Sequence, residues 1–145
     1  MKGLDTPVLL ALLEGAPKAR ALVRALAGEE LATTEVNLFE IELLGRRDKS
    51  AGKERRMQTL ERLRRKLTVL PLDEESTRRA AAIAASARQA APEGTWLCLG
   101  AAEAHGCSEW ITSEAGMPPA SSTRLKITAI ERWKAKERQI RNDRS

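Results

Sequence analysis

The sequence predicts one α/β domain with a short, largely parallel sheet covered by helices on both faces. Three observations carry that reading. Short β-prone runs alternate with longer stretches of helical periodicity, the pattern of strand–helix–strand units. Gly and Pro punctuate the chain where one kind of run gives way to the next. An acidic residue follows three of the β-prone runs, at Asp5, Glu40 and Glu114, where open α/β sheets place their ligands.

The elements follow in order. Lys2–Asp5 reads as a short buried strand. Thr6 is the expected N-cap of the next helix, with Pro7 at its first position. That helix stops near Gly15, and Pro17 opens an amphipathic one ending at Gly28. Leu31–Thr34 is β-prone, and Val36–Arg47 reads as a buried helix from the apolar Val36, Phe39, Ile41, Leu43 and Leu44. Lys53–Leu67 is a charged helix with Met57, Leu60, Leu63 and Leu67 along one face, and Thr68–Leu72 is the next strand. The acids Asp73, Glu74 and Glu75 favour a helix start there, and the Ala-rich stretch extends it to about Ala91. Pro92, Glu93 and Gly94 break it, and Thr95 is the expected cap of a helix running to His105. Glu109–Thr112 is a strand, Met117–Ser122 a loop, and Ile127–Ile130 a last short strand. We place a domain over residues 1–130 and a basic tail over 131–145.

With 145 residues the chain is long enough for a real core. At 3% aromatic, it lacks the rings that build stacking platforms for single strands. Nothing approaches the ~20 apolar residues of a membrane span, and the early apolar run is too short for a signal peptide. A cytoplasmic, reduced protein is expected. Cys98, His105 and Cys107 lack the paired spacing of a zinc site.

The net charge of +5 is unevenly spread. Gly45 to Lys66 holds ten Lys or Arg against three acids, and Arg124 to Ser145 holds eight against three. The remainder is net acidic and contains the three strand-end carboxylates. An acidic centre between basic stretches suits a protein that holds a divalent cation and a polyanion together.

Three carboxylates from distant segments would make a hard-oxygen cation site. Such a cation polarises a phosphoryl oxygen and acidifies a bound water, which points to phosphodiester hydrolysis. Each acid also has a plainer reading. Asp5 could cap a helix, Glu40 could pair with Arg46 or Arg47, and Glu114 could be a loop carboxylate. No phosphate-binding glycine loop, dinucleotide fingerprint or serine elbow is present.

The segments Gly3–Thr6, Thr33–Glu40 and Ile111–Glu114 resemble the acidic motifs of PIN domains, most nearly the small prokaryotic VapC-type toxins. Pro71–Asp73 with the Ala-rich helix, and Ala101–Gly106, follow the same pattern. The resemblance implies a three-layer α/β/α fold and a Mg²⁺- or Mn²⁺-dependent endoribonuclease. It also implies a homodimer restrained by a small antitoxin protein. Asp5, Glu40 and Glu114 would then ligate metal. Thr6 and Thr112 would orient ligands or water, and Asn37 would share a helix face with Glu40. Arg46, Arg47, Arg55 and Arg56 are candidates for RNA phosphates. The chain departs from the pattern at Thr95, where an Asp is usual, and neutral Thr is a poorer ligand. Glu93 would need a loop rearrangement to replace it. A catalytically silent PIN-fold module that binds RNA or protein is the alternative.

Overall fold

A computed structural model describes residues 1–119 and 122–134; positions 120–121 of the expected loop and most of the expected tail, 135–145, lie outside them. Five parallel strands form one sheet: β1 (Lys2–Leu4), β2 (Leu31–Thr34), β3 (Thr68–Leu70), β4 (Glu109–Thr112) and β5 (Lys126–Ala129), in the order β3-β2-β1-β4-β5. The sheet is sandwiched between helices, the three-layer α/β/α arrangement expected.

Helices α1 (Thr6–Leu13), α2 (Pro17–Ala25), α3 (Glu35–Arg47) and α4 (Lys53–Lys66) form the first two crossovers. They bury Val8, Leu9, Leu22, Leu38, Ile41 and Leu60 against Leu4 and Ile111. Helices α5 (Glu74–Ser86) and α6 (Glu93–Ala104) make the third crossover on the opposite face. There Ala80, Ile83, Trp96 and Leu99 pack with Trp110 and Leu125. Alternating side-chain direction along each strand divides its residues between these two cores.

Two glycines permit the closest approaches. A Cβ on Gly3 would stand 2.3 Å from the Trp110 ring, so only Gly lets that indole lie across the central strand. A Cβ on Gly100 would stand 2.4 Å from the Ser76 carbonyl, which fixes Gly where α5 and α6 touch.

Winding runs outward from β1 in both directions, through β2 and β3 on one side and β4 and β5 on the other. The carboxyl ends of β1 and β4 therefore flank a topological switch point, the crevice where such sheets bind ligands. Asp5 and Ser113 are the first residues beyond those two strands.

Several boundaries differ from expectation. Asp5, not Thr6, caps α1: its Oδ1 accepts from the Thr6 N–H at 2.8 Å, so strand end and cap fuse in one residue. Helix α6 starts at Glu93 because Pro92, with φ −56°, already sets the entry; Thr95 lies inside the first turn and does not cap it. Helix α5 ends at Ser86 because the chain must reverse before α6 despite its helix-forming alanines. Phe39 is 65% exposed and Leu44 48%, so α3 buries one face only. No described helix is long and apolar enough to cross a membrane.

Candidate functional site

At the switch point a chain of hydrogen bonds joins four elements. Asp5 leaves β1 with Oδ1 accepting from the Asn37 amide nitrogen at 2.8 Å and Oδ2 accepting from the Thr112 hydroxyl at 2.6 Å. The Asn37 amide also donates to Thr6 Oγ1 at 3.1 Å, and that hydroxyl donates to Glu40 Oε2 at 2.8 Å. Asp5, Thr6, Asn37, Glu40 and Thr112 thus form one connected unit drawn from β1, α1, α3 and β4.

Local sequence builds it. Thr34 and Asn37 form a reciprocal capping box at the start of α3, with Asn37 Oδ1 accepting from the Thr34 N–H and hydroxyl. That pins the amide oxygen and turns its nitrogen toward Asp5 and Thr6. Asn37 and Thr112 are 0% exposed. Their polar groups must find partners inside the protein, and the network supplies them. Glu40, one helical turn after Asn37, keeps Oε1 facing the start of α6, where a Cβ on Gly94 would stand 3.4 Å from it. A Cβ on Gly116 would stand 2.7 Å from Thr112 Oγ1, so Gly there lets the loop close over the Asp5–Thr112 pair.

Cys98 on α6 borders the network, its sulfur 3.5 Å from Thr34 Oγ1. Burial above all, with the nearby Asp5 and Glu40 charges, pushes its thiol up to about 12 against the hydrogen bonds with Thr34 and Asn37. It is a neutral packing group rather than a thiolate ligand. Burial likewise pushes Cys107, in the same core, up to about 11, while His105 pairs with Asp73 at 3.1 Å. The three zinc-type residues do not converge.

The remaining expected acid is not gathered in. Glu114 opens a 3₁₀ turn just past β4 and forms a two-pronged ion pair with Arg132. Glu93 is exposed at the head of α6. Among the described residues, no three acids, histidines or cysteines form a group able to hold a metal ion. The pair Asp5 and Glu40 nevertheless has the right chemistry for a hard divalent cation: two carboxylates joined in one network and oriented by neutral donors.

The four arginines divide. Arg56 is committed to the α3–α4 connection, where it pairs with Asp48 and donates to Ser50 Oγ at 2.7 Å. Arg46 makes a loose exposed pair with Glu42 at 3.7 Å. Arg47 and Arg55 are exposed, and Arg55 borders a cleft with Arg20, which sequence reasoning passed over. Thr34, Gly94, Gly116 and Arg132 were missed too. The capping-box spacing could have revealed Thr34; nothing local links Arg132 to a residue eighteen positions earlier. Trp96 and Trp110 belong to the core, and Trp133 packs back on the α1–α4 side.

The family model described as "PIN domain" matches residues 3–117. Similar solved structures include VapBC2 from Rickettsia felis bound to a promoter DNA fragment, with TM-score 0.76, 14% identity, and coverage of 88% of this chain and 97% of that one. FitAcB from Neisseria gonorrhoeae gives TM-score 0.73 at 18% identity, covering 92% and 100%. VapBC-5 from Mycobacterium tuberculosis, of the VapBC family of toxin–antitoxin systems, gives 0.65 at 22%, covering 88% and 97%. No curated protein matches in sequence.

Proposed function

Because this chain belongs to the PIN-domain family, we propose that it is a toxin-like endoribonuclease that hydrolyses RNA phosphodiester bonds at the Asp5–Glu40 centre. The buried network that orients these two carboxylates at the switch point is the observation that carries the reading. Asp5 and Glu40 would hold a Mg²⁺ or Mn²⁺ ion, with Glu114 as a third ligand once freed from Arg132. When bound, such an ion polarises the phosphoryl oxygen and acidifies a water.

The chain's own residues do the positioning. The Thr6 hydroxyl, donating to Glu40 Oε2, leaves Oε1, beside Gly94, as the oxygen that would take a cation. Asn37 and Thr112 each engage one oxygen of Asp5, which fixes the direction of that carboxylate. Arg46, Arg47 and Arg55 stand on exposed α3 and α4 positions suited to a phosphate backbone, so binding should weaken as salt rises. The similar structures named VapBC support a small antitoxin partner, and a homodimer in the cytoplasm completes the reading.

Cleavage of mixed RNA with Mg²⁺ or Mn²⁺, beside an Asp5→Asn control and an EDTA control, tests it. Cleavage lost on the order of 10²-fold or more in the variant supports the assignment; equal cleavage by both proteins refutes it. A second reading, a silent module that binds RNA or protein, is favoured by Thr95 and by the engagement of Glu114 with Arg132. Thr95→Asp decides between them: a large gain in cleavage supports an otherwise sound site, and RNA binding without cleavage in either form supports the silent module.

A further inference from the structure

Glu114 is gripped twice by consecutive residues of the turn that follows β5. Its backbone N–H donates to Glu131 Oε2 at 2.9 Å, and its carboxylate takes Nε and Nη2 of Arg132, the latter at 3.2 Å. The register explains the encounter: Thr112 pairs with Ala129, so the first residues beyond β4 and β5 run side by side. The turn is anchored from behind. Lys18 of α2 donates to the Glu131 carbonyl at 2.6 Å, and Trp133 packs into the α1–α4 core. The turn that holds Glu114, Ile130–Arg132, lies beyond residue 117, where the match to the family model ends.

We propose that Arg132 is a positioning residue that withholds Glu114 from the Asp5–Glu40 centre, lowering that centre's affinity for a divalent cation until the pair opens. This rests on reading Asp5, Glu40 and Glu114 as cation ligands. A guanidinium bound through two nitrogens occupies both carboxylate oxygens. A cation needs at least one of those oxygens, so the two compete. The pair is exposed, with the Arg132 side chain at 72% and Glu114 at 43%, and exposed pairs are weak enough to exchange. The guanidinium also has somewhere to go. A cavity of about 510 Å³ beside it is bordered by Arg132, Trp133, Thr128 and Lys134.

Mn²⁺ binding to the whole chain, without RNA, tests this by calorimetry or by the electron paramagnetic signal of free Mn²⁺. Arg132→Ala should bind Mn²⁺ about 3- to 10-fold more tightly than wild type, the scale of an exposed paired charge. In Arg132→Ala combined with Glu114→Gln the gain should vanish. Unchanged, weaker or undetectable binding by Arg132→Ala overturns the proposal, as does a gain that survives Glu114→Gln. If Arg132→Ala does not fold, Arg132→Lys decides, since it keeps the charge and loses the two-pronged hold: tighter binding supports the proposal and unchanged binding overturns it. Tighter Mn²⁺ binding with no RNA cleavage by any variant would remove the nuclease reading and leave the role of Arg132 intact.

Discussion

The two sides of the crevice hold their acids by opposite means. On the β1–α3 side, Asp5 and Glu40 are fixed by Thr6, Asn37 and Thr112, all largely buried, through neutral hydrogen bonds. On the β5 side, Glu114 is fixed by an exposed ion pair to Arg132. Neutral buried donors leave a carboxylate its charge and set its direction. A surface guanidinium cancels the charge and can leave. One side is therefore preorganised and costly to disturb, and the other is adjustable and cheap to disturb.

The largest effect should come from Asn37→Leu. It strands the Asp5 carboxylate, the Thr6 hydroxyl and the Thr34 cap together, each buried or half-buried. Equilibrium denaturation should show a loss of about 3 kcal/mol, the scale of leaving such groups unpaired. A loss under about 0.5 kcal/mol would mean that the network is not the rigid side. Next comes Thr112→Val, which keeps the shape and removes one hydrogen bond to a charged oxygen. A loss of about 2 kcal/mol is expected by the same measurement.

Glu114→Gln sharpens the contrast from the other side. Its stability should stay within about 0.5 kcal/mol of wild type, because an exposed pair contributes little. A loss as large as that of Thr112→Val would erase the distinction between the two sides.

How much of this was readable follows the same division. The parallel sheet and the places of Asp5, Asn37 and Glu40 were legible because each depends on local pattern: strand period, cap spacing and helix period. Asp5 and Glu40 come together because β1 and β2 are neighbours that both lead into helices of the same layer. The fate of Glu114 was not legible. It depends on a β4–β5 register and on a turn eighteen residues away, and no local rule reaches that far. Thr6 and Thr95 erred by one and three positions as caps, since Asp5 and Pro92 could each start a helix themselves. Phe39 misled because apolar content in α3 was read as burial on every face.

Asp48 provides the smallest effect and an intermediate case, a half-buried acid held by both kinds of partner. Its Oδ1 accepts from the Ser50 hydroxyl at 2.6 Å and the Ser50 N–H at 2.8 Å, and Arg56 pairs with its other oxygen. The Ser50 hydrogen bonds, then Arg56, lower its carboxyl to about 2 from the ordinary 3.8. A folded value below the unfolded one means that the unfolded chain binds its proton first as pH falls. The stabilisation is therefore complete above about pH 4 and is lost as pH drops through about 2. The stability difference between wild type and Asp48→Asn, followed by denaturant titration, should shrink across that window. A difference that stays constant with pH would mean that the Ser50 and Arg56 contacts do not favour the ionised form. The same residue separates the arginines: Arg56→Ala should mimic Asp48→Asn in stability, whereas Arg55→Ala should leave stability alone and weaken RNA binding at low salt.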